Sequence, residues 1–338
     1  MEPTGKMEES TLTRRHNDVF AALLPLLFMA VYYYGMRALA LSVAAMLTAW
    51  MTDLVCVAMR RTKYPWRDLS APAIGLSLAL MMPASVSYHV LLFTCVFAVA
   101  VVRQAFGGRT SHVFSPAAAG FAFANVCWPG DFALFPTPFA TLPLWGKVPV
   151  ETLSSSFERM LATGSIPRSL DFDLLLGRFL GPMGGTHVLV LLICAVTLLA
   201  RRTLSMTVTL TSLSTMILLA YRFPRIGVSG LQSVTYELIS GIFLFAVIFL
   251  ASDPCTIPGT RTGRFWYGVC FGLLVMMFRH FGATAGSSAF ALIIVNALSD
   301  LFDSGTLRLF SRIRARVSRF EKERAGEIQT EQEQGGEA

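Results

Sequence analysis

Apolar blocks separated by short polar clusters run along most of the chain. The blocks are roughly 16 to 22 residues long, which is the length that a helix needs to cross about 30 Å of hydrocarbon. This pattern predicts an all-α polytopic membrane protein with about ten transmembrane helices. The predicted spans cover residues 19–36, 38–59, 70–88, 89–102, 112–128, 186–200, 204–221, 236–252, 265–279 and 286–303.

A long segment, residues 129–185, divides the spans into two groups of five. An odd number of spans per group makes the second group run opposite to the first, so the pattern predicts two inverted five-helix halves. The segment is too polar to span and too aromatic for a simple disordered linker, and we expect it to fold as an extracytoplasmic loop. The expected domains are an N-terminus (1–18), a first membrane half (19–128), the loop (129–185), a second half (186–303) and a tail (304–338).

Glycine-rich breaks occur at corresponding places in the two halves. "FGGRTSHVFSPAAAGFAF" (106–123) precedes the fifth span, and "FGATAGSSAFALIIVNAL" (281–298) precedes the tenth. Matched breaks of this kind point to a binding region at the bilayer midplane, because irregular backbone at that depth needs protein or a cavity around it. The alternative is that both are ordinary loops with glycine turns.

The net charge of +7 comes from basic residues at the ends of the apolar blocks. With a cytoplasmic N-terminus, one side holds most of them, including Arg14, Arg15, Arg103, Arg109, Arg201 and Arg202. The short loops of the other side hold chiefly Arg37, Arg222, Arg225 and Arg279. The positive-inside rule therefore places both termini in the cytoplasm, and nucleic-acid binding is not expected.

Several kinds of chemistry are missing from the sequence. The six cysteines are scattered, with no CxxC and no histidine–cysteine spacing typical of a metal centre, so we expect reduced packing residues and no metal. The sequence has no nucleophile and base at fixed spacing, no Walker loop and no Rossmann fingerprint. Nucleotide chemistry is therefore expected elsewhere, and no cleavable signal peptide is expected at the N-terminus.

Two ionisable residues fall within predicted spans and are candidates for an ion pathway. Asp53 lies in the second span, and Glu237 lies at the start of the eighth, where it is either functional or interfacial. Two glycine-rich turns, "GGRTSH" and "GPMGGTH", have the form of a phosphate cradle, with Arg109, Thr186 and His187 as extra donors. Either turn is equally consistent with a loop that carries a basic anchor.

Several segments resemble one family in order along the chain. They are "DVFAALLP" (18–25), "LSAPAIGLSLALMMP" (69–83), "RQAFGGRTSHVFSPAAAGFAF" (103–123), "YELISGIFLFAVIFLASDPCTIPGTRTGRFWYG" (236–268) and "RHFGATAGSSAFALIIVNALSDLFD" (279–303). They are similar to the D subunit of Rnf ion-translocating electron-transport complexes and to the related B subunit of the sodium-translocating NADH:quinone reductase. The resemblance implies a bacterial inner-membrane subunit that works with other subunits, moving electrons between ferredoxin and NAD coupled to Na⁺ or H⁺.

The resemblance also implies a flavin. The family usually binds FMN covalently through its phosphate, on a threonine of a Ser-Gly-Ala-Thr motif in the long loop, and this motif is absent here. Ser156 in "ETLSSSFERMLATGSIP" is the first candidate for the attachment residue, and Thr141 in "PFATLPL" is the second. The serines at 154–156 equally suit a helix N-cap. FMN, or riboflavin bound without a covalent link, is therefore the expected cofactor.

Two other functions stay open at this point. The first is a solute channel or permease built on the same inverted repeat. The second is a structural subunit that lacks flavin, since "GPMGGTH", "FSPA" and "FGATAGS" each lack a polar group that the family has at the corresponding place.

Overall fold

The computed structural model describes residues 9–62, 64–146, 148–149, 153–155, 157–163, 174, 176–225, 227–282 and 286–305, and it is mostly helical. A first group of helices comes from the N-terminal part. These are α1 (Glu9–Tyr34), α2 (Met36–Met59), α3 (Ser70–Met81), α4 (Tyr88–Val96), which continues as a π-helix (Phe97–Ala105), and α5 (Pro116–Cys127).

The middle of the chain forms short elements. A 3₁₀ turn (Pro129–Phe132) leads to β1 (Leu134–Pro136), which pairs antiparallel with β2 (Leu153–Ser155), and Phe135 lies opposite Ser154. α6 (Phe157–Ala162) follows. Phe157 packs against Phe179 and Tyr236, with ring centroids 5.2 and 5.9 Å away, so this part of the chain is folded against the helices.

A second group of helices follows. These are α7 (Val188–Ala200), α8 (Met206–Arg222), α9 (Gly230–Ile239), α10 (Phe243–Phe245), which continues as a π-helix (Ala246–Leu250), α11 (Arg261–His280), α12 (Ser287–Ala297) and α13 (Ser299–Gly305). Buried alanine, leucine, valine and phenylalanine side chains from both groups form one continuous apolar core.

Three of the described helical segments are long and apolar enough to cross a bilayer: α1, α2 and the continuous stretch Tyr88–Ala105. The number rises to five if the bent pairs α9 with α10 (65°) and α12 with α13 (44°) each count as one span. α3, α5 and α7 are apolar but shorter. The predicted helical membrane architecture is therefore present, while the count of about ten spans stays a prediction.

Two predicted spans contain a break that the apolar pattern does not show. α3 ends at Met81 because Met82 precedes Pro83, and a residue before proline disfavours helical backbone. The span predicted at 236–252 breaks between α9 and α10, where Gly241 has a φ of 68°. Glycine adopts this left-handed conformation without the steric cost that a Cβ brings.

The segment 181–185 lies between these two breaks. The Met183 amide donates to the Met82 carbonyl (3.2 Å), and the Gly184 amide donates to the Leu80 carbonyl (2.7 Å). On its other side, a Cβ added at Gly185 would lie 2.7 Å from the Gly241 carbonyl oxygen. Residues 181–185 therefore supply hydrogen bonds to the backbone exposed where α3 ends, and glycine is needed for the close approach to the second break.

The helices define two ends of the molecule. We call the end at which α1 begins, at Glu9, the first end, and the end at which it finishes, at Tyr34, the second end. The 26 residues of α1 separate them by about 39 Å. α11 begins at the first end, where Arg264 lies near Arg15, and finishes at the second end.

Candidate functional site

Buried charges at the first end centre on Arg103, in the last turn of the π-helix that follows α4. Its side chain is 1% exposed and lies 3.4 Å from the Asp53 carboxylate and 3.7 Å from that of Asp68. It also donates to the Ser70 hydroxyl. Gln104 donates to Asp53 at 2.6 Å. Asp53, an ion-pathway candidate from the sequence, is therefore neutralised by a buried arginine.

Asp68 joins this group to α1 and to the loop after the π-helix. Its carboxylate lies 2.9 Å from Arg109 Nε and 3.4 Å from His16 Nδ1. Burial opposes ionisation of Asp68, but the contact with His16, a hydrogen bond from the Ser70 hydroxyl and the charge of Arg103 outweigh it and lower its pKa to about 2. We call Asp53, Asp68, Arg103 and Arg109 the first-end charge cluster.

A second cluster of buried charges lies at the other end, around Glu237 of α9. One carboxylate oxygen accepts from Arg225 Nε at 2.5 Å, and the other accepts from Arg279 Nη1 at 2.8 Å. Arg279 also donates to the Ser240 carbonyl at 2.8 Å, at the break between α9 and α10. We call Glu237, Arg225 and Arg279 the second-end charge cluster. Glu237, the other ion-pathway candidate, is thus held by two arginines.

The two clusters occupy corresponding positions in the two groups of helices. Arg103 and Arg279 each lie in the last turn of the fourth long segment of their group, and each is followed within a few residues by glycine. Arg103 contacts the Asp68 carboxylate, and Arg279 contacts that of Glu237. Each of these acidic residues precedes a buried serine by two or three positions in the sequence, Ser70 or Ser240, and the arginine also contacts that serine. This correspondence relates the two groups of helices, and their arrangement as inverted halves stays a prediction.

From the sequence, these arginines are expected to mark the orientation of the spans. In the structure, Arg37, Arg103 and Arg279 are among the largest fully buried side chains. Arg37 donates to four backbone carbonyls, those of Ala84, Val86, Pro143 and Gly146. The signal that could have found two of them is the pair "RQAFGG" and "RHFGAT", in which arginine stands before glycine at matching places.

A cleft opens at the first end beside the charge cluster. Its walls are mainly apolar, with Ile74, Leu198 and Phe249 among them. Polar groups also reach it, including His16, Arg103, His112, Ser115 and Asp253. An apolar cleft with a few convergent polar groups is the usual form of a small-molecule site.

The flavin candidates from the sequence are divided between the two ends. At the second end, the Tyr33 ring lies 4.6 Å from those of His187 and Phe139, and the Phe139 amide donates to the Tyr33 carbonyl. Thr141 is exposed two residues after Phe139. We call Tyr32, Tyr33, Phe139 and His187 the second-end aromatic cluster.

Three further candidates have different surroundings. Thr186 is fully buried, and its hydroxyl has no hydrogen-bond partner among the described residues. Arg109 contacts Glu9 at the start of α1, so it lies at the first end and about 36 Å along α1 from the ring of Tyr33. Ser156, the first candidate for FMN attachment, lies outside the described residues.

A third polar group at the first end combines His112, Asp253 and Cys255. His112 Nε2 lies 2.9 Å from Asp253 Oδ2, and potential ligand atoms of all three side chains lie within 4.8 Å of one another. Burial opposes ionisation of Asp253, but the charge of His112 and its hydrogen bond outweigh it and lower the pKa to about 2. Sequence spacing did not reveal this group, because His112 and Cys255 are far apart along the chain.

Comparison with known proteins covers nearly the whole chain. The model of the NQR2, RnfD, RnfE family matches residues 5–309. The chain is 28% identical over 304 residues to the D subunit of the Na⁺-translocating ferredoxin:NAD⁺ oxidoreductase complex of Acetobacterium woodii, covering 90% of this chain and 92% of the relative. It is 29% identical to the D subunit of the ion-translocating oxidoreductase complex of Methanosarcina acetivorans, covering 85% and 87%.

A third relative is similar in length and identity. The D subunit of the ion-translocating oxidoreductase complex of Stutzerimonas stutzeri is 29% identical over 322 residues, covering 88% of this chain and 91% of the relative. The family resemblance expected from the sequence is therefore confirmed across the chain, which belongs to the NQR2, RnfD, RnfE family.

Proposed function

We propose that this chain is the D subunit of an Rnf-type ion-translocating ferredoxin:NAD oxidoreductase in a bacterial inner membrane, with both termini in the cytoplasm. The observation that carries the proposal is the match to relatives of that name over about nine-tenths of both chains. The chain acts with other membrane and peripheral subunits, because its sequence has no nucleotide-binding motif of its own. We also propose that the chain crosses the membrane ten times, in two inverted halves that an extracytoplasmic loop joins.

The ion-coupling part rests on Asp53 and Glu237. Both carboxylates are 2% exposed, and a buried charge at membrane depth is costly unless it has a role or a partner. Asp53 contacts one arginine and Glu237 contacts two, so a free carboxylate forms only when these ion pairs open. We propose that electron transfer opens these pairs in turn, and that Na⁺ or H⁺ then takes the place of the arginine.

The test uses the complete complex in vesicles, with ferredoxin as electron donor. Asp53→Asn and Glu237→Gln should lower ion uptake while the complex still assembles, and Asp300→Asn, which removes an exposed carboxylate, is the matched control. Glu237→Asp keeps the charge and should retain part of the uptake. Normal uptake in both neutral variants would exclude these residues from the ion route.

The flavin part rests on the second-end aromatic cluster. A flavin needs aromatic or apolar walls and donors for its phosphate or ring edge, and the protein tunes the redox chemistry that the flavin supplies. Thr141 presents an exposed hydroxyl for a phosphoester, with the Phe139 and Tyr33 rings nearby. The buried Thr186 hydroxyl, which lacks a partner among the described residues, precedes His187 of this cluster. These residues fit FMN, and the apolar first-end cleft, which the side chains of His112 and Ser115 reach, is the place we propose for riboflavin without a covalent bond.

In-gel fluorescence of the denatured subunit, expressed with a flavin transferase, tests the attachment. We expect a fluorescent band that Thr141→Ala or Ser156→Ala removes, and peptide mass mapping of residues 129–185 should locate the FMN. Thr137→Ala, four residues from Thr141 and also exposed, is the control. A band that survives both alanine variants would contradict this placement.

The segment 181–185 favours a second candidate function. It lies between the two helix breaks, where non-helical backbone of both groups meets. Irregular backbone at this depth is typical of a transport site, so a solute channel or permease is the alternative. Substrate flux through the isolated chain without any flavin would support it, and stable assembly without flux or flavin would indicate a structural subunit.

A further inference from the structure

The group formed by His112, Asp253 and Cys255 joins the two groups of helices at the first end. His112 lies in the loop before α5, and the other two lie in the loop between the second π-helix and α11. Oδ1 of Asp253 accepts from the Cys255 amide at 3.1 Å, which holds the carboxylate beside the thiol. The three side chains therefore converge from loops of different halves.

The orientation of the His112 ring limits what can lie between the imidazole and the Asp253 carboxylate. Nδ1 faces the Gly108 carbonyl at 3.4 Å, and a carbonyl oxygen only accepts, so Nδ1 carries a proton. Nε2 faces the Asp253 carboxylate at 2.9 Å. A carboxylate oxygen and an unprotonated ring nitrogen can only accept, so their 2.9 Å approach requires a proton or a metal ion between Nε2 and Oδ2.

The thiol of Cys255 distinguishes these two cases. A proton shared by histidine and aspartate needs no third group, whereas a metal ion recruits further ligands. A histidine whose other ring nitrogen faces a backbone carbonyl is the usual arrangement of a metal-bound imidazole. We propose that His112, Asp253 and Cys255 bind one Zn²⁺ ion, with a fourth position open to the first-end cleft.

The donor set and the charges suit this ion. Imidazole, carboxylate and thiolate are the ligands that Zn²⁺ takes in proteins, and three protein ligands leave one position for water. Zn²⁺ binds the thiolate form of cysteine, so the metal must displace the proton of the Cys255 thiol. Zn²⁺ with one carboxylate and one thiolate is neutral, which suits a place beside the buried charge cluster.

The proposed site departs from the expectation from sequence that the chain holds no metal centre. Its ligands come from residues 112, 253 and 255, a spacing that no linear motif reveals. The proposal does not depend on the flavin or on ion coupling. Bound Zn²⁺ would tie the two halves together beside the cleft, and water at its open position would face any molecule held there.

Cobalt titration of the purified full-length chain in detergent tests the proposal. After treatment with a chelator, Co²⁺ should bind with one ion per chain and give both d–d bands and a near-ultraviolet thiolate charge-transfer band. Cys255→Ser should lose the charge-transfer band. Cys127→Ser removes an exposed cysteine elsewhere and should retain it.

Zn²⁺ affinity and thermal stability provide a second readout. His112→Ala should weaken Zn²⁺ binding by more than the roughly 10- to 100-fold that loss of an outer-shell partner costs. Zn²⁺ should raise the melting temperature of the wild type and not that of His112→Ala. A wild type that binds no Co²⁺, or one whose thiolate band persists in Cys255→Ser, would overturn the proposal and leave an ion pair between the two loops.

Discussion

Each of the two charge clusters contains a fully buried arginine, but the clusters differ in the number of carboxylates. At the first end, Arg103 contacts Asp53 and Asp68, and Arg109 adds a second positive charge, so charges balance. At the second end, Arg225 and Arg279 share the Glu237 carboxylate. Arg103 therefore keeps a reserve carboxylate, Asp68, when Asp53 is neutralised, whereas a change at Glu237 removes a carboxylate from two arginines at once.

This difference predicts which end tolerates the loss of a carboxylate. A buried ion pair adds little net stability relative to a well-packed apolar core, but removal of one partner leaves an uncompensated charge. We therefore expect the larger loss of stability at the second end, in measurements on the full-length chain in detergent.

The largest effect is expected for Glu237→Gln. Two buried arginines would lose their common carboxylate, and the free energy of unfolding should fall by about 3–5 kcal/mol. Denaturant titration measures it, with Asp300→Asn as an exposed control. A loss no larger than that of the control would show that Arg225 and Arg279 have other partners of equal strength.

A smaller loss is expected for Asp53→Asn. Arg103 keeps Asp68 and the Ser70 hydroxyl, and the new amide still accepts a hydrogen bond from Gln104, so the cost should be about 1–3 kcal/mol. The same titration compares it with Glu237→Gln. If Asp53→Asn proves the more costly of the two, the idea of a reserve carboxylate at the first end is wrong.

The contribution of Asp68 to the stability of the first-end charge cluster is expected to change very little with pH near neutrality. The pKa of Asp68 is about 2 in the folded chain, below the unfolded value of about 3.9. Its contribution is thus fully present above the unfolded pKa and is lost as the pH falls towards the folded one. The difference in melting temperature between wild type and Asp68→Asn should stay constant from about pH 7 to 5 and shrink below about pH 4. A decline between about pH 7 and 5 would point to a histidine instead.

The smallest effect is expected for an ion pair at the first end in which the arginine is exposed and the aspartate is buried. Arg201 lies 2.6 Å from Asp18, but its side chain is 61% exposed. Arg201→Ala should lower the free energy of unfolding by less than about 1 kcal/mol, because water screens the exposed guanidinium and Thr203 still donates to the Asp18 carboxylate. A loss as large as that of Asp53→Asn would show that burial of the ion pair does not determine how much each substitution lowers the free energy of unfolding.

The helical membrane architecture and the two buried carboxylates could be predicted from the sequence, because apolar length and isolated charges are local signals. The breaks after Met81 and at Gly241 could not, since they depend on backbone that residues 181–185 cover from far along the chain. The pairing of Glu237 with Arg279 was equally hidden, because arginine at a span end looks the same whether it faces water or the core.

The candidate site also contains features that the sequence indicates and features that only the fold reveals. Phe139, two residues before Thr141, and His187 both contact the Tyr33 ring, while Arg109 lies at the opposite end, and the flavin site itself stays a prediction. Contacts between loops that are far apart along the chain, such as that of His112 with Asp253, become visible only in the three-dimensional fold.

The most direct test of the ion route follows ion uptake and NAD⁺ reduction together, in vesicles that contain the whole complex and either wild-type chain or Glu237→Gln. We expect that the variant takes up fewer ions per electron, or that electron transfer itself stops, although the complex assembles. Assembly with both rates unchanged would contradict the claim that the second-end charge cluster lies on the ion route.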